Sequence, residues 1–136
     1  MNTYQNTLNL LGRLLIVVLF LPAGLSKITG FEGTVGYFTS LGMIAPTLAV
    51  VIAIIAEVWG GIALLVGFKT RLVAILLAVF TLAASIFGHA FWAAPAEAAF
   101  VAQLLFFKNI AVIGGLLILA SSGAGKFSID GFKEAQ

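Results

Sequence analysis

The sequence contains no cysteine. That excludes disulfides, thiolate nucleophiles, cysteine metal ligands and covalent haem attachment through this chain. Histidine is almost absent as well, with His89 the one instance in 136 residues. One imidazole cannot supply both axial ligands of a bis-histidine haem, and zinc sites use three or four protein ligands. No haem or metal is therefore expected to be held by this chain alone. Any redox chemistry needs a cofactor held mostly by other groups or by another subunit. Charge is scarce too. Charged residues make up 9% of the chain, against roughly 25% in soluble domains. No basic stripe is present of the kind that nucleic acids require, so nucleic acid is not an expected partner.

What is present is apolar. Hydrophobic residues account for 62% of the chain, more than so short a chain can hide in a water-soluble core. We expect an integral membrane protein in contact with lipid, one domain over residues 1–136. Its fold class is expected to be all-α, a four-helix membrane bundle with spans at about 8–26, 47–68, 71–89 and 101–120, since about twenty apolar residues cross a bilayer as a helix. Residues 1–7 are polar and read as a short mobile lead. The first run, Leu8 to Leu25, carries Arg13 inside it and no convincing small-residue cleavage site after it, which reads as a retained span rather than a signal peptide. Pro22 and Gly24 are expected to kink or loosen its far end. Lys27 follows about 21 Å beyond Arg13 along a helix, so at least one of the two must snorkel or face a protein interior.

Between the first two spans, residues 28–46 are glycine-rich and half polar. Phe31, Val35, Phe38 and Leu41 share one helical face, which predicts a short interfacial amphipathic helix. Along the third span Ala74, Ala78, Thr81, Ser85 and His89 form a seam of small and polar residues, suited to close helix approach in lipid. With four spans, both termini and the turn at 69–71 share a side. That side carries Lys69, Arg71, Lys126 and Lys133, so the positive-inside rule predicts cytoplasmic termini in a bacterial inner membrane. A faint repeat relates Val58-Trp59-Gly60-Gly61-Ile62 to Val112-Ile113-Gly114-Gly115-Leu116, and Gly12-Arg13-Leu14 to Thr70-Arg71-Leu72.

The second span holds one carboxylate, Glu57, at its middle. An ionisable group there costs a few kcal/mol by insertion scales, so it must pair or neutralise. Lys108 from the first half of the fourth span, in the outer half of the membrane, Arg13 from the cytoplasmic side of the first span, or both, are within reach of it, with Asn109 as an uncharged partner. These four form the expected buried polar cluster. His89, Lys27 and Trp92 are expected at its mouth. The cluster reads either as a structural clamp or as a pocket for a quinone head, another small polar ligand or a proton.

Read in order, these motifs resemble the DoxX family of small bacterial inner-membrane proteins. The resemblance rests on Gly12-Arg13-Leu14-Leu15, Pro22-Ala23-Gly24-Leu25-Ser26-Lys27, Glu57-Val58-Trp59-Gly60-Gly61, Thr70-Arg71-Leu72, His89 with Phe91-Trp92, and Lys108-Asn109 before Gly114-Gly115. It covers nearly the whole chain and implies a four-helix bundle linked to membrane oxidoreductase systems, including thiosulfate:quinone oxidoreductase and thiol and oxidative stress in actinobacteria. The missing cysteines argue against a thiol mechanism in this chain itself. The expected function is thus a subunit or accessory of a membrane oxidoreductase system with a quinone-like ligand near Glu57, Arg13 and Lys108. The alternatives are a non-catalytic scaffold joined to other subunits or to a second copy, and an oligomeric small-molecule transporter.

Overall fold

In the computed structural model, which describes residues 1–136, the first helix begins almost at once. Helix α1 spans Thr3–Thr29. Asn2 accepts from the Gln5 amide at 2.9 Å, and the Gln5 side chain accepts from the Asn2 amide at 2.8 Å. This reciprocal capping box satisfies two otherwise orphaned donors. Residues 3–7 of the polar lead expected to be mobile are therefore the start of α1. Helix α1 continues through Pro22 and Gly24 to Thr29.

Helix α2 spans Phe31–Ser40. Phe31, Val35, Phe38 and Leu41 are half-buried, so the predicted apolar face is the one turned inward. Helix α3 spans Pro46–Val66, opening on a proline where a missing amide costs nothing. Its middle contains one π-helical turn, Ile55–Trp59. Helix α4 spans Thr70–Gly88 and is followed by a single 3-10 turn, Phe91–Ala93. Helix α5 spans Ala96–Ser122, and a short helix α6, Ile129–Glu134, ends the chain. The fold is all-α, with α1, α3, α4 plus its following turn, and α5 long and apolar enough to cross a membrane.

The polarity of the bundle is inverted relative to a soluble protein. Seven of its 22 buried residues are polar or charged, whereas Leu15, Val18 and Ile118 stand 73%, 68% and 72% exposed. Hydrocarbon outside and polar groups inside is the arrangement a bilayer selects. The apolar core is small: Val17, Phe20, Leu64, Ala74, Leu77, Ala78, Leu116 and Leu119.

Two antiparallel hairpins, α1–α3 and α4–α5, repeat one plan. Arg13 near the start of α1 donates to the carbonyls of Leu64, at 3.0 Å, and Leu65, at 3.3 Å, in the last turn of α3. Arg71 at the start of α4 donates to the carbonyls of Ala120, Ser121 and Ser122 in the last turn of α5. Each guanidinium thereby meets the carbonyls that a helix end leaves unpaired. The faint sequence repeat around the two arginines thus has a structural counterpart.

The polar tail closes this end. Asn9 donates to the Gly123 carbonyl at 2.7 Å, and the Lys126 amide donates to Asn6 at 2.7 Å. Arg13 also donates to the Phe127 carbonyl. The Asp130 carboxylate then accepts from the Lys69 and Thr70 amides, both at 2.8 Å, and caps α4 from a distant part of the chain. Burial pushes the Asp130 carboxyl up, but those amide bonds and the Lys133 charge outweigh it and hold it below the usual range.

Candidate functional site

Glu57 lies inside the π-helical turn of α3 and is 7% exposed. Such turns disturb the regular helical ladder and recur at functional sites. Gly24 of α1 packs directly on it. A Cβ added at Gly24 would stand 2.9 Å from the Glu57 Cβ and 2.7 Å from a Val58 methyl. Only a glycine lets the two helices come this close.

Lys27 follows one turn after Gly24. Helical side chains tilt toward the helix N-terminus, so its stem bends back to the level of Glu57. Its ammonium donates to both carboxylate oxygens, at 3.1 and 3.0 Å. Lys27, expected at the mouth, is therefore the counter-ion of Glu57. Arg13, expected in the cluster, is elsewhere. Leu64, to which it bonds, is seven residues beyond Glu57, about 10 Å along the helix, and the two terminal nitrogens of Arg13 hold helix end and tail together.

A second polar rung joins α4 to α5. The Asn109 amide donates to Ser85 at 3.0 Å, and Ser85 donates to the Thr81 carbonyl at 2.7 Å. Asn109 does not bond to Glu57. The predicted seam is buried at Ala74, Ala78, Thr81 and Ser85.

Between these rungs, beneath α2 and the loop that follows it, lies a cleft of about 1150 Å³. Of its 29 lining residues 17 are hydrophobic, so it suits an apolar molecule. Lys27, Glu57, His89, Lys108 and Asn109 all line it, with Tyr37 of α2. Trp92 does not line it. That ring stacks edge-on against Phe91 and Phe106, at 5.2 and 5.6 Å, on the outside of α5. The π-helical turn, the Gly24 contact and Tyr37 were not anticipated. The small residue at Gly24, one turn before Lys27, is the one signal for the close contact.

Donors (ammonium, amide) and acceptors (carboxylate, amide oxygen) face a largely apolar space here. The arrangement can orient a polar head and carry a proton between Glu57 and a bound group. No three His, Asp or Glu side chains stand close enough together to hold a metal ion.

A family model described as DoxX matches residues 8–90. The chain is similar to the Escherichia coli inner membrane protein YphA, with 38% identity over 89% of this chain and 86% of that one. It is similar to the E. coli inner membrane protein YqjF, with 40% identity over 89% of this chain and 88% of that one. A more distant likeness, 29% identity over 88% of this chain but 31% of the other, is to the ER-derived vesicles protein ERV29 of Saccharomyces cerevisiae. No solved structure matches the chain significantly.

Proposed function

The chain belongs to the DoxX family, and from that premise we propose that it is a multi-pass protein of the bacterial inner membrane that binds a lipophilic, quinone-like ligand in the cleft, as an accessory of a membrane oxidoreductase system. The observation that carries this reading is the convergence of Lys27, Glu57, His89, Lys108 and Asn109 on one mainly apolar cleft. Ionisable groups inside a membrane span are rare, face the bundle interior and mark substrate, ion or proton pathways. In this reading Lys27, Lys108 and Asn109 donate to a ring carbonyl, and Glu57 accepts a hydrogen bond or relays a proton. His89 stands at the mouth, and the apolar walls take the chain of the ligand. The relatives named as inner membrane proteins support the location. The gathering of Lys69, Arg71, Lys126 and Lys133 at the end bearing both termini supports cytoplasmic termini. The redox assignment draws on the family resemblance.

The test is quinone reduction by membrane vesicles that carry the wild type or Glu57→Gln at matched levels. A lower rate in the mutant, with protein abundance unchanged, supports the reading. An unchanged rate refutes it.

One observation favours a second reading, a docking subunit. An apolar groove of about 460 Å³ runs between α3 and α4 beside Trp59, which is 69% exposed. It would seat a partner helix with no ligand involved. That reading predicts co-purification of a partner that Trp59→Ala abolishes and Glu57→Gln leaves intact.

A further inference from the structure

The cleft has an imbalance of charge. Lys27 is neutralised by Glu57 through two bonds of 3.1 and 3.0 Å. Lys108 has no such partner. It makes no hydrogen bond and no ion pair within the chain, where Lys27–Glu57 is the sole salt bridge. No other carboxylate can serve it. Glu97 precedes it by eleven residues on α5, about 16 Å along the axis, beyond the combined reach of the two side chains. Glu32 is exposed on the first turn of α2 and does not line the cleft. Asp130 and Glu134 belong to α6, at the end of the bundle that carries the termini.

Lys108 is also deep. It stands twelve residues into the 27-residue helix α5, near mid-height of a membrane-crossing segment. An ammonium at that depth costs several kcal/mol unless an anion or water meets it. The residue is exposed on the bundle and lines the cleft together with His89.

We infer that the head of the ligand is acidic: an anionic oxygen, phosphate or carboxylate, on a lipophilic chain, with Lys108 as its counter-ion. This rests on the proposal that the cleft binds a lipophilic ligand at all, and it replaces the neutral ring carbonyl drawn there with an acidic head. A neutral carbonyl ring leaves Lys108 uncompensated, whereas an acidic head completes the charge balance of the cleft. The dipole of the Asn109 amide, on the next residue, and the imidazole of His89 supply the polar contacts around that anion.

The experiment uses the full chain in nanodiscs of zwitterionic phosphatidylcholine, at alkaline pH so that the acids are ionised. Binding of dodecyl phosphate, laurate and dodecanol, three heads on one chain length, is measured by native mass spectrometry. The wild type is compared with Lys108→Gln and Lys108→Arg. The inference predicts that an acidic amphiphile binds about tenfold or more tightly than dodecanol. That preference should vanish in Lys108→Gln and persist in Lys108→Arg. Whether phosphate or laurate leads tells which acid the cleft favours. Equal binding of all three, or a preference that survives Lys108→Gln, overturns the acidic head and leaves the cleft's lipophilic ligand standing. Binding of none removes the ligand reading itself and the inference with it.

Discussion

Replacing Lys27 by methionine removes the cation from Glu57 and leaves the stem of the side chain in place. The pair is bidentate, at 3.1 and 3.0 Å, and its side chains are 22% and 9% exposed. Removing one partner of a fully buried pair costs about 3–5 kcal/mol, and an exposed pair contributes about 0–1 kcal/mol. This one lies between, so Lys27→Met should lower stability by about 2–3 kcal/mol. Glu57→Gln should cost less, about 1 kcal/mol, because the freed ammonium can swing outward on its flexible stem. The double variant removes both charges together and should be more stable than Lys27→Met alone. The resulting coupling is about 1–2 kcal/mol. The assay is unfolding in mixed micelles of dodecyl sulfate and a nonionic detergent, followed by circular dichroism. Additive single-variant effects, within about 0.5 kcal/mol, would refute the pairing as the energetic link between α1 and α3.

Three further outcomes follow from the same contacts. Gly24→Ala should cost about 1–3 kcal/mol by forcing α1 off the π-helical turn, while Gly12→Ala, with nothing within 4 Å of its new methyl, should be neutral or slightly stabilising; the same unfolding assay compares them. Arg13→Met, at a fully buried arginine, should cost about 3 kcal/mol by stripping the Leu64, Leu65 and Phe127 carbonyls of their donor, and Arg71→Met, at an exposed one, under about 1 kcal/mol. Asp130→Ala should cost about 1 kcal/mol at neutral pH as a lost helix cap. Because the folded carboxyl is held below its unfolded value, the cap's contribution is complete above the unfolded value and fades as pH falls through the folded one. Wild type and mutant stabilities should therefore converge in acid, and a constant gap down the pH scale would contradict the assignment.

Much of the fold could be read from hydropathy because a membrane asks only for long apolar runs, and each span has one. The half-turned face of Phe31, Val35, Phe38 and Leu41 was legible for the same reason, since burial follows period. The site was harder. Lys27 reads as a boundary anchor when the apolar run is ended at Leu25, but α1 continues to Thr29, and only the tilt of helical side chains brings the ammonium back to Glu57. Arg13 and Arg71 bond to backbone carbonyls, which every residue carries, so no side-chain pattern announces those partners. The tail from Ser121 is polar and glycine-rich, with no period to show structure. Its order comes from single tertiary bonds at Asn6, Asn9, Arg13 and Asp130. The π-helical turn leaves no sequence mark. Glu57, Lys108, Asn109 and His89 were recognisable as candidates because a charge or polar group in an apolar span is conspicuous in itself.

The most direct test of the central claim, that the polar cleft is a ligand site, is native mass spectrometry of the full chain released gently from its own membrane, wild type beside Glu57→Gln. The expected result is a bound lipophilic small molecule on the wild type, absent from a mutant that remains folded. A wild type that carries no such molecule, beside a mutant that is merely less stable, would make Glu57 and Lys27 a structural clamp and contradict the account.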